Sequence, residues 1–241
     1  MSPHLLALFE HRPEWSVQTM RLLAEGESGG ADWAEVERTA RRLTGDTWQD
    51  WADAWEGLAT ELRASADQAM AEGHPVTARG RYLRSSNYDR HADFFVPPGE
   101  PRKDVLYNRC VESFSLALPL LPGVERVEVP YEGTVLDGYL CRPVSDSTEP
   151  LPTVIFLGGA DSLAEELYFL GGAALAERGL AALLIDTPGR GSALRRRGLV
   201  SRADYEVPVR ALVEWIGERE GLDESHIGLW GLSPDPPRRL V

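Results

Sequence analysis

The sequence predicts an α/β protein in which a helical N-terminal half precedes an incomplete sheet, made of a β-hairpin and three parallel strands with crossover helices. Apolar residues recur at helical spacing in the first half, and from about residue 123 they follow the alternating or continuous spacing of strands. Short apolar runs then alternate with helical segments, an order typical of parallel sheets with right-handed crossovers. We therefore predict a helical domain over residues 1–122 and a sheet domain over residues 123–241.

The first predicted helices follow recognisable N-terminal caps. Asp32, with Glu35 three residues later, has the spacing of a capping box and predicts a helix to about Leu43. Thr47 opens a longer helix that ends near Gly73. Its apolar residues form one stripe at helical spacing, namely Trp48, Trp51, Trp55, Leu58 and Leu62.

Prolines mark the remaining helices of the first half. Pro75 suits a first helical turn and begins a helix that runs to the breaker at residues 97–99. Another helix is expected from about Lys103 to Leu118, where further prolines end it. We interpret the tryptophans of this half as the core of a helical layer, with the lining of a substrate cavity as the alternative. They are Trp33, Trp48, Trp51 and Trp55.

The second half begins with a predicted β-hairpin, in which strands 124–131 and 134–141 flank a turn at Glu132-Gly133. Short strands of the kind that a parallel sheet buries on both faces then alternate with helices. The expected elements are a strand at 153–157, a helix at 163–178, a strand at 180–185, a helix at 205–218 and a strand at 226–230. The residues of the last helix expected to face the sheet are Val209, Leu212, Val213 and Ile216.

Composition limits the partners and the compartment. A net charge of −13 argues against nucleic acid and anionic membrane, because both repel an acidic surface. No apolar run approaches the roughly 20 residues that cross a bilayer, and the N-terminus lacks the features of a secretory signal. Cys110 and Cys141 have no CxxC spacing and are expected to be buried free thiols, which fits a cytoplasmic protein.

The last predicted strand runs into a candidate nucleophile motif. Residues 231–235 read Gly-Leu-Ser-Pro-Asp, which matches the G-x-S-x-G nucleophile elbow at four of five positions. The elbow lies between a strand and a helix, and the strand before Ser233 fits that context. Ser233 is therefore the candidate nucleophile, and a serine in an ordinary strand-to-helix loop is the alternative.

The residues that carry a family resemblance fall in both halves of the chain. In the second half they are 129–133, 138–140, 156–166, 186–191 and 227–233, and in the first half Tyr82, Tyr88, Phe94, Phe95, 101–102 and 107–110. Over residues 75–233 the sequence closely resembles one branch of the α/β-hydrolases, whose sheets also begin with an antiparallel hairpin. The branch comprises capped enzymes like 2,6-dihydroxypseudooxynicotine hydrolase, the polyketide-shortening hydrolases of fungal pigment pathways and the FrsA-like esterases. One departure is Ala164, where the branch often has Lys.

The resemblance implies a serine hydrolase that cleaves a carboxylic ester, or a carbon–carbon bond next to a ketone, in a small polyketide-like or aromatic molecule. It implies that Ser233 attacks the carbonyl carbon, and that backbone N–H groups of Gly159, Ala160 and the residue after the serine hold the oxyanion. The helical domain would be a cap that closes over the substrate. The substrate-pocket candidates are Asp161, Glu165, Tyr82 and Tyr88.

Asp161 and Glu165 have a second interpretation, which we favour. They begin a predicted helix, and acidic side chains are stabilised near a helix N-terminus by the macrodipole. A direct role in substrate binding is the alternative for both.

The acid and base that a serine nucleophile needs are not found after it. In this fold the order is Ser, then Asp or Glu, then His, but only eight residues follow Ser233 and none is histidine. His226 begins the same strand, about 20 Å away at ~3.3 Å per residue, and His91 belongs to the cap. Pro234 has no N–H and cannot supply its half of an oxyanion hole.

The expectation is therefore a C-terminally truncated hydrolase that is inactive by itself, through a frameshift or a premature end. One alternative is a non-catalytic binding protein that uses the cap and the half-sheet to hold a ligand or a partner. Another is an esterase completed by a partner chain's histidine. A sheet that ends at its third parallel strand is also expected to expose an apolar edge.

No cofactor is expected. Gly158-Gly159 and the glycines at 189 and 191 match neither GxGxxG nor a Walker A pattern, and no His, Cys and Asp residues have metal-ligand spacing. The basic run 195–197 is interpreted as a solvated loop, with anion binding as the alternative. The expected partner is a small-molecule substrate, and a homodimer is left open.

Overall fold

The computed structural model describes residues 8–9 and 11–232. The chain divides into two compact units, Met1–Leu121 and Pro122–Val241. The described part of the first unit is helical, and its α-helices are α1 (Pro13–Ala24), α2 (Trp33–Arg42), α3 (Trp48–Ala71), α4 (Pro75–Asp93) and α5 (Pro101–Ala117). Four of these were predicted from the sequence. The helix α1 was not predicted, because only its Pro13 gives a start signal.

Tryptophans form much of the core of the helical unit. Trp51 and Trp55 are fully buried, and the ring of Trp51 lies 5.1 Å from that of Trp15. The predicted helix start at Thr47 is confirmed, and a capping box forms there, because the Thr47 hydroxyl and the Asp50 carboxylate each accept the other residue's backbone N–H. The prediction that all four tryptophans are core is wrong for Trp33, which is 67% exposed because it faces outward from the first turn of α2.

The predicted capping box at Asp32 is only half formed. The Asp32 carboxylate accepts the backbone N–H groups of Ala34 and Glu35, as an N-cap should. The reciprocal bond from Glu35 is replaced, because the Asp32 backbone N–H donates instead to the hydroxyl of Tyr88 on α4. Glu35 is thereby free to pair with Arg84, at 2.9 Å.

The second unit is built on a five-stranded sheet with the order β1-β2-β4-β3-β5. Its strands are β1 (Val124–Tyr131), β2 (Thr134–Cys141), β3 (Leu151–Leu157), β4 (Ala181–Ile185) and β5 (Leu222–Gly231). The hairpin β1–β2 is antiparallel and turns at Glu132-Gly133, where both residues have positive φ. Since β3 pairs in parallel with both β4 and β5, the predicted α/β architecture is confirmed.

Helices flank this sheet. They are α6 (Ala164–Leu167), α7 (Ala173–Glu177), α8 (Gly191–Arg195) and α9 (Glu206–Gly217), with a π-helical turn between α6 and α7. Leu212 and Ile216 of α9 are fully buried against the sheet, as predicted. Val213 is 40% exposed, so its predicted inward orientation is wrong. Leu212 and Ile216 are four residues apart and therefore lie on the same face of the helix. Val213 is rotated by about 100° from Leu212 and so points away from that face.

The strand β5 lies at the edge of the sheet and pairs with β3 on one side. Leu229 is 60% exposed and Trp230 is 41% exposed, in agreement with the expected apolar edge. None of the helices described is long and apolar enough to cross a membrane.

Candidate active site

The loop after β3 lies beside the end of β5. The Leu232 backbone N–H donates to the Leu157 carbonyl at 3.0 Å, so Leu232 continues the pairing between the two strands. A Cβ at Gly159 would lie 3.5 Å from the Leu232 carbonyl oxygen. The structure therefore brings the predicted oxyanion residues to the strand end that precedes Ser233, whereas Ser233 itself lies outside the described residues.

Hydrogen bonds within this loop decide which amide is available. The Gly159 N–H donates to the Ser162 hydroxyl at 3.1 Å, and the Ser162 N–H donates back to the Gly159 carbonyl at 3.2 Å. The Gly159 amide is therefore already engaged, whereas Ala160 is exposed. Of the two predicted oxyanion donors, the Ala160 amide is the better candidate.

A buried carboxylate that the sequence analysis missed lies behind the loop. Asp186 accepts the Ala164 N–H at 2.9 Å and the Ser192 N–H at 2.7 Å, and its side chain is buried. Burial, and then the negative charge of Glu165, raise the pKa of Asp186 to about 7, although the hydrogen bonds that it accepts from the Ser192 and Ala164 N–H groups lower this pKa. The signal available in the sequence was an acid directly after a buried strand and before two glycines.

Arg190 connects the same loop to α9 and was also missed. Its Nε donates to the Gly159 carbonyl at 3.0 Å, and its Nη1 donates to the Tyr205 hydroxyl at 2.6 Å. The guanidinium also lies over the Tyr205 ring, 5.3 Å from the centroid. Thr187 completes this group through its hydrogen bond with the same hydroxyl.

The acidic pocket candidates of the loop differ in environment. Asp161 is exposed, whereas Glu165 is buried and its Oε1 accepts a hydrogen bond from the Tyr139 hydroxyl, with the two oxygens 2.7 Å apart. Burial raises the pKa of Glu165. Its second oxygen, Oε2, has no hydrogen-bond partner among the described residues. A substrate-binding role for either acid stays a prediction.

The tyrosine candidates belong to the helical unit, where their hydroxyls already have partners. Tyr82 donates to Asp67 at 2.6 Å. Tyr88 donates to Glu35 at 2.9 Å and accepts the Asp32 N–H at 3.0 Å. Burial raises the pKa of Tyr88 above its usual range. These contacts hold helices together, and a place in a substrate pocket stays a prediction for both tyrosines.

The two histidines considered as a base, His91 and His226, are held in other arrangements. His91 is buried between the rings of Trp51 and Trp55, at 4.8 and 4.7 Å, and burial lowers its pKa well below the usual value. His226 pairs with Asp223 at 2.7 Å at the start of β5, about 20 Å of strand from Leu232. Within the described residues, no group of three or more His, Cys, Asp or Glu side chains could hold a metal ion.

The basic run lies at the surface, where α8 ends at Arg195. Arg196 and Arg197 are exposed residues of the turn that follows, in agreement with a solvated loop. Arg197 also pairs with the buried Asp137 at 2.9 Å, and Arg126 reaches the other oxygen of that carboxylate at 3.2 Å. One arginine of the run thus neutralises a buried acid, and anion binding by the run stays a prediction.

A hairpin that leads into parallel strands, with a tight loop after β3 beside the end of β5, defines this unit as an α/β-hydrolase. Residues 46–204 match the model of the esterase FrsA-like family, and the chain belongs to that family.

Similar proteins agree with this assignment. The chain is 36% identical over 208 residues to the hydrolyase poxO of Penicillium oxalicum, covering 84% of this chain and 49% of poxO. It is 36% identical over 209 residues to the α/β hydrolase pydG of an Acremonium species, covering 85% and 48%. The solved structure of 2,6-dihydroxy-pseudo-oxynicotine hydrolase superposes with a TM-score of 0.72 at 26% identity, over 87% of this chain and 57% of that one. The chain thus spans about half the length of these curated relatives.

Proposed function

We propose that this chain supplies the nucleophile strand and the oxyanion loop of a serine hydrolase that acts on a small molecule. The observation that carries the proposal is the position of Gly159 and Ala160 beside Leu232, the residue that precedes Ser233. Attack on a carbonyl requires a nucleophile and an N–H donor close to each other. The proximity of Gly159 to Leu232 supports such an arrangement of Ser233 and the Ala160 N–H.

In the proposed reaction the Ser233 hydroxyl adds to the carbonyl carbon, and the carbonyl oxygen becomes an oxyanion that accepts the Ala160 N–H. Collapse of this intermediate breaks the bond to the leaving group, an alkoxide in an ester or an enolate when a carbon–carbon bond next to a ketone breaks. The leaving group takes up a proton, and water then releases the acyl group from the serine. An aromatic substrate is supported by the similar solved structure, a hydrolase named for 2,6-dihydroxy-pseudo-oxynicotine, whereas a polyketide-like substrate stays a prediction.

We further propose that the 241-residue polypeptide does not turn over substrate by itself. A serine hydroxyl needs an imidazole to accept its proton, and neither buried His91 nor the distant His226 suits that task. Pro234 removes the second oxyanion donor, a loss of about 3–4 kcal/mol by analogy with deleting one such donor.

Hydrolysis of p-nitrophenyl esters tests both statements. We expect the 241-residue chain and its Ser233→Ala variant to have the same rate. A chimaera in which the residues after Ser233 come from poxO is expected to gain hydrolysis that Ser233→Ala abolishes. Serine-dependent turnover by the 241-residue chain would overturn the second statement. A folded chimaera without serine-dependent activity would overturn the first.

A non-catalytic binding protein is the second candidate, and a groove in the helical unit favours it. The groove has a volume of about 310 Å³ and is lined by Leu23, Trp33 and Val36 among others. Because Trp33 is largely exposed there, an aromatic ligand would change its fluorescence. Saturable quenching that a Trp33→Phe variant loses would support binding, and an unchanged signal would remove this candidate.

We propose a cytoplasmic location, supported by the two free, buried cysteines Cys110 and Cys141. The partner is a small-molecule substrate, and the charge of −13 disfavours nucleic acid and anionic membrane. Imaging a fluorescent fusion tests the location, and sedimentation distinguishes a monomer from a homodimer.

A further inference from the structure

Two connections meet at the carboxyl end of the parallel strands. One runs from β3 to α6 through Gly159, and the other runs from β4 to α8 through Asp186 and Arg190. Both helices begin without a side-chain cap from their own N-cap residue. Their first-turn N–H groups therefore need an acceptor from elsewhere in the fold.

Asp186 is that acceptor for both helices. One carboxylate oxygen accepts the N–H of Ala164 in α6, and the other accepts the N–H of Ser192 in α8. The carboxylate fills the space beside Gly191, where a Cβ would lie 2.0 Å from its Oδ2. A single buried side chain thus caps two helix N-termini and ties the two connections together.

Arg190 makes a second tie, at the oxyanion loop itself. Its planar guanidinium donates through Nε to the Gly159 carbonyl and through Nη1 to the Tyr205 hydroxyl. A trans peptide unit is planar, so the Gly159 carbonyl and the Ala160 N–H point in opposite directions. Holding the Gly159 carbonyl therefore also fixes the direction of the Ala160 N–H, the candidate oxyanion donor.

We propose that Arg190 and Asp186 are positioning residues, which clamp the loop after β3 so that the Ala160 N–H is presented at the end of β5. A role of this clamp in catalysis rests on the proposed function. The hydrogen bonds that form the clamp can be tested without measuring hydrolysis. Arg190 sets the peptide plane, and Asp186 fixes the point at which the loop enters α6.

Amide hydrogen exchange of the whole 241-residue chain tests the clamp. In Arg190→Ala we expect exchange at Ser162, whose N–H donates to the same Gly159 carbonyl, to rise by about tenfold, the factor that corresponds to one net hydrogen bond. Arg190→Lys should behave alike, because one ammonium group cannot span the two acceptors. Adding ethylguanidinium to Arg190→Ala should restore protection. In Asp186→Asn, exchange at Ala164 and Ser192 should rise.

Arg202→Ala is the matched control. Arg202 also contacts a tyrosine ring and carboxylates, those of Tyr131, Glu132 and Asp204, but not the loop. Exchange at Ser162 should not change in this variant. If Arg190→Ala fails to fold, Tyr205→Phe removes the far anchor of the guanidinium, together with the Thr187 hydrogen bond, and should raise Ser162 exchange by a smaller factor. Unchanged Ser162 exchange in folded Arg190→Ala or Tyr205→Phe would overturn the clamp.

The poxO chimaera separates this inference from the proposed function. There, Arg190→Ala should lower kcat on the order of tenfold to a hundredfold with little change in KM, because an oxyanion donor acts on the transition state. Arg202→Ala should leave both unchanged. Loss of loop protection with unchanged kcat would refute the positioning role alone, whereas an inactive chimaera with a protected loop would refute the proposed function alone.

Discussion

The ring of Trp230 lies flat on the ring of Phe156, with centroids 4.4 Å apart and planes 7° from parallel. These residues are register partners on β5 and β3. The stack leaves no room beside Gly171, where a Cβ would lie 2.7 Å from the Trp230 ring and 3.0 Å from the Phe156 ring. The edge strand is therefore held to the sheet by side-chain packing as well as by the backbone ladder.

Gly171→Ala is expected to lower the free energy of unfolding by about 1–3 kcal/mol, because the added methyl group overpacks the stack. Gly57→Ala is the matched control, since nothing lies within 4 Å of a Cβ there. Gly57 is inside α3, so its replacement should stabilise by about 0.5–1 kcal/mol. Urea unfolding measures both changes. Equal effects of the two substitutions would show that the stack tolerates the methyl group.

Tyr88→Phe is expected to destabilise the helical unit by about 1–3 kcal/mol, because it leaves the Asp32 N–H and a Glu35 oxygen without their shared hydroxyl. Tyr82→Phe should cost less than about 1 kcal/mol, since the Asp67 side chain that it contacts is 57% exposed and can turn to water. Chemical denaturation compares the two. A larger loss for Tyr82→Phe would contradict this account.

The unfolding free energy is expected to depend on pH through Asp186. Its pKa is about 7 in the fold, chiefly because of burial, against about 3.9 in an unfolded chain. The folded protein therefore binds this proton more tightly, so the contribution to stability is greatest below pH 4 and is lost as the pH rises from about 4 to 7. Asp186→Asn should flatten the profile in that window.

Asp204→Asn serves as the control for the pH profile. Asp204 is exposed, and its hydrogen bond to Arg202 holds its pKa at about 2. Its contribution has the opposite sign and is lost only as the pH falls below about 4, so the slope between pH 4 and 7 should not change. Urea unfolding at several pH values measures the free energy of unfolding for both variants. If its pH dependence between pH 4 and 7 is unaltered in Asp186→Asn, Asp186 is not the group responsible.

The apolar edge of β5 is expected to bind a hydrophobic dye and to promote self-association. Leu229→Lys places a charge in the middle of this edge and should reduce both effects. Val144→Lys is the control, because Val144 is even more exposed, at 78%, but lies in a loop. Dye fluorescence and sedimentation measure the change. If both variants reduce dye binding and self-association equally, the added charge is responsible and the exposed edge of β5 is not.

Local sequence signals predicted most of the fold. The Thr47 cap, the Glu132-Gly133 turn and the apolar runs of β3 and β4 each act over a few residues, and the structure confirms them. The errors concern which side chains the fold buries. Trp33 is exposed although Trp51 and Trp55, which were assigned to the same core, are buried, and residue type alone does not distinguish them.

Some residues of the candidate site were predicted from the sequence, and others were identified from the structure alone. Gly159 and Ala160 were predicted from the family resemblance, part of which lies in residues 156–166. Arg190 and Asp186 were missed as site residues because their contacts with the loop after β3, to Gly159 and Ala164, join positions 31 and 22 residues apart.

The class of the fold, the family and the order of the strands along the chain could be predicted from the residues alone, because periodicity, turns and motifs are properties of adjacent residues. Three relationships became known from the folded chain, namely that Gly159 lies beside Leu232, that Asp186 caps two helices and that Arg190 binds the loop carbonyl. Hydrogen bonding and burial depend on which segments the fold brings together, and strands remote in sequence become neighbours in the assembled sheet.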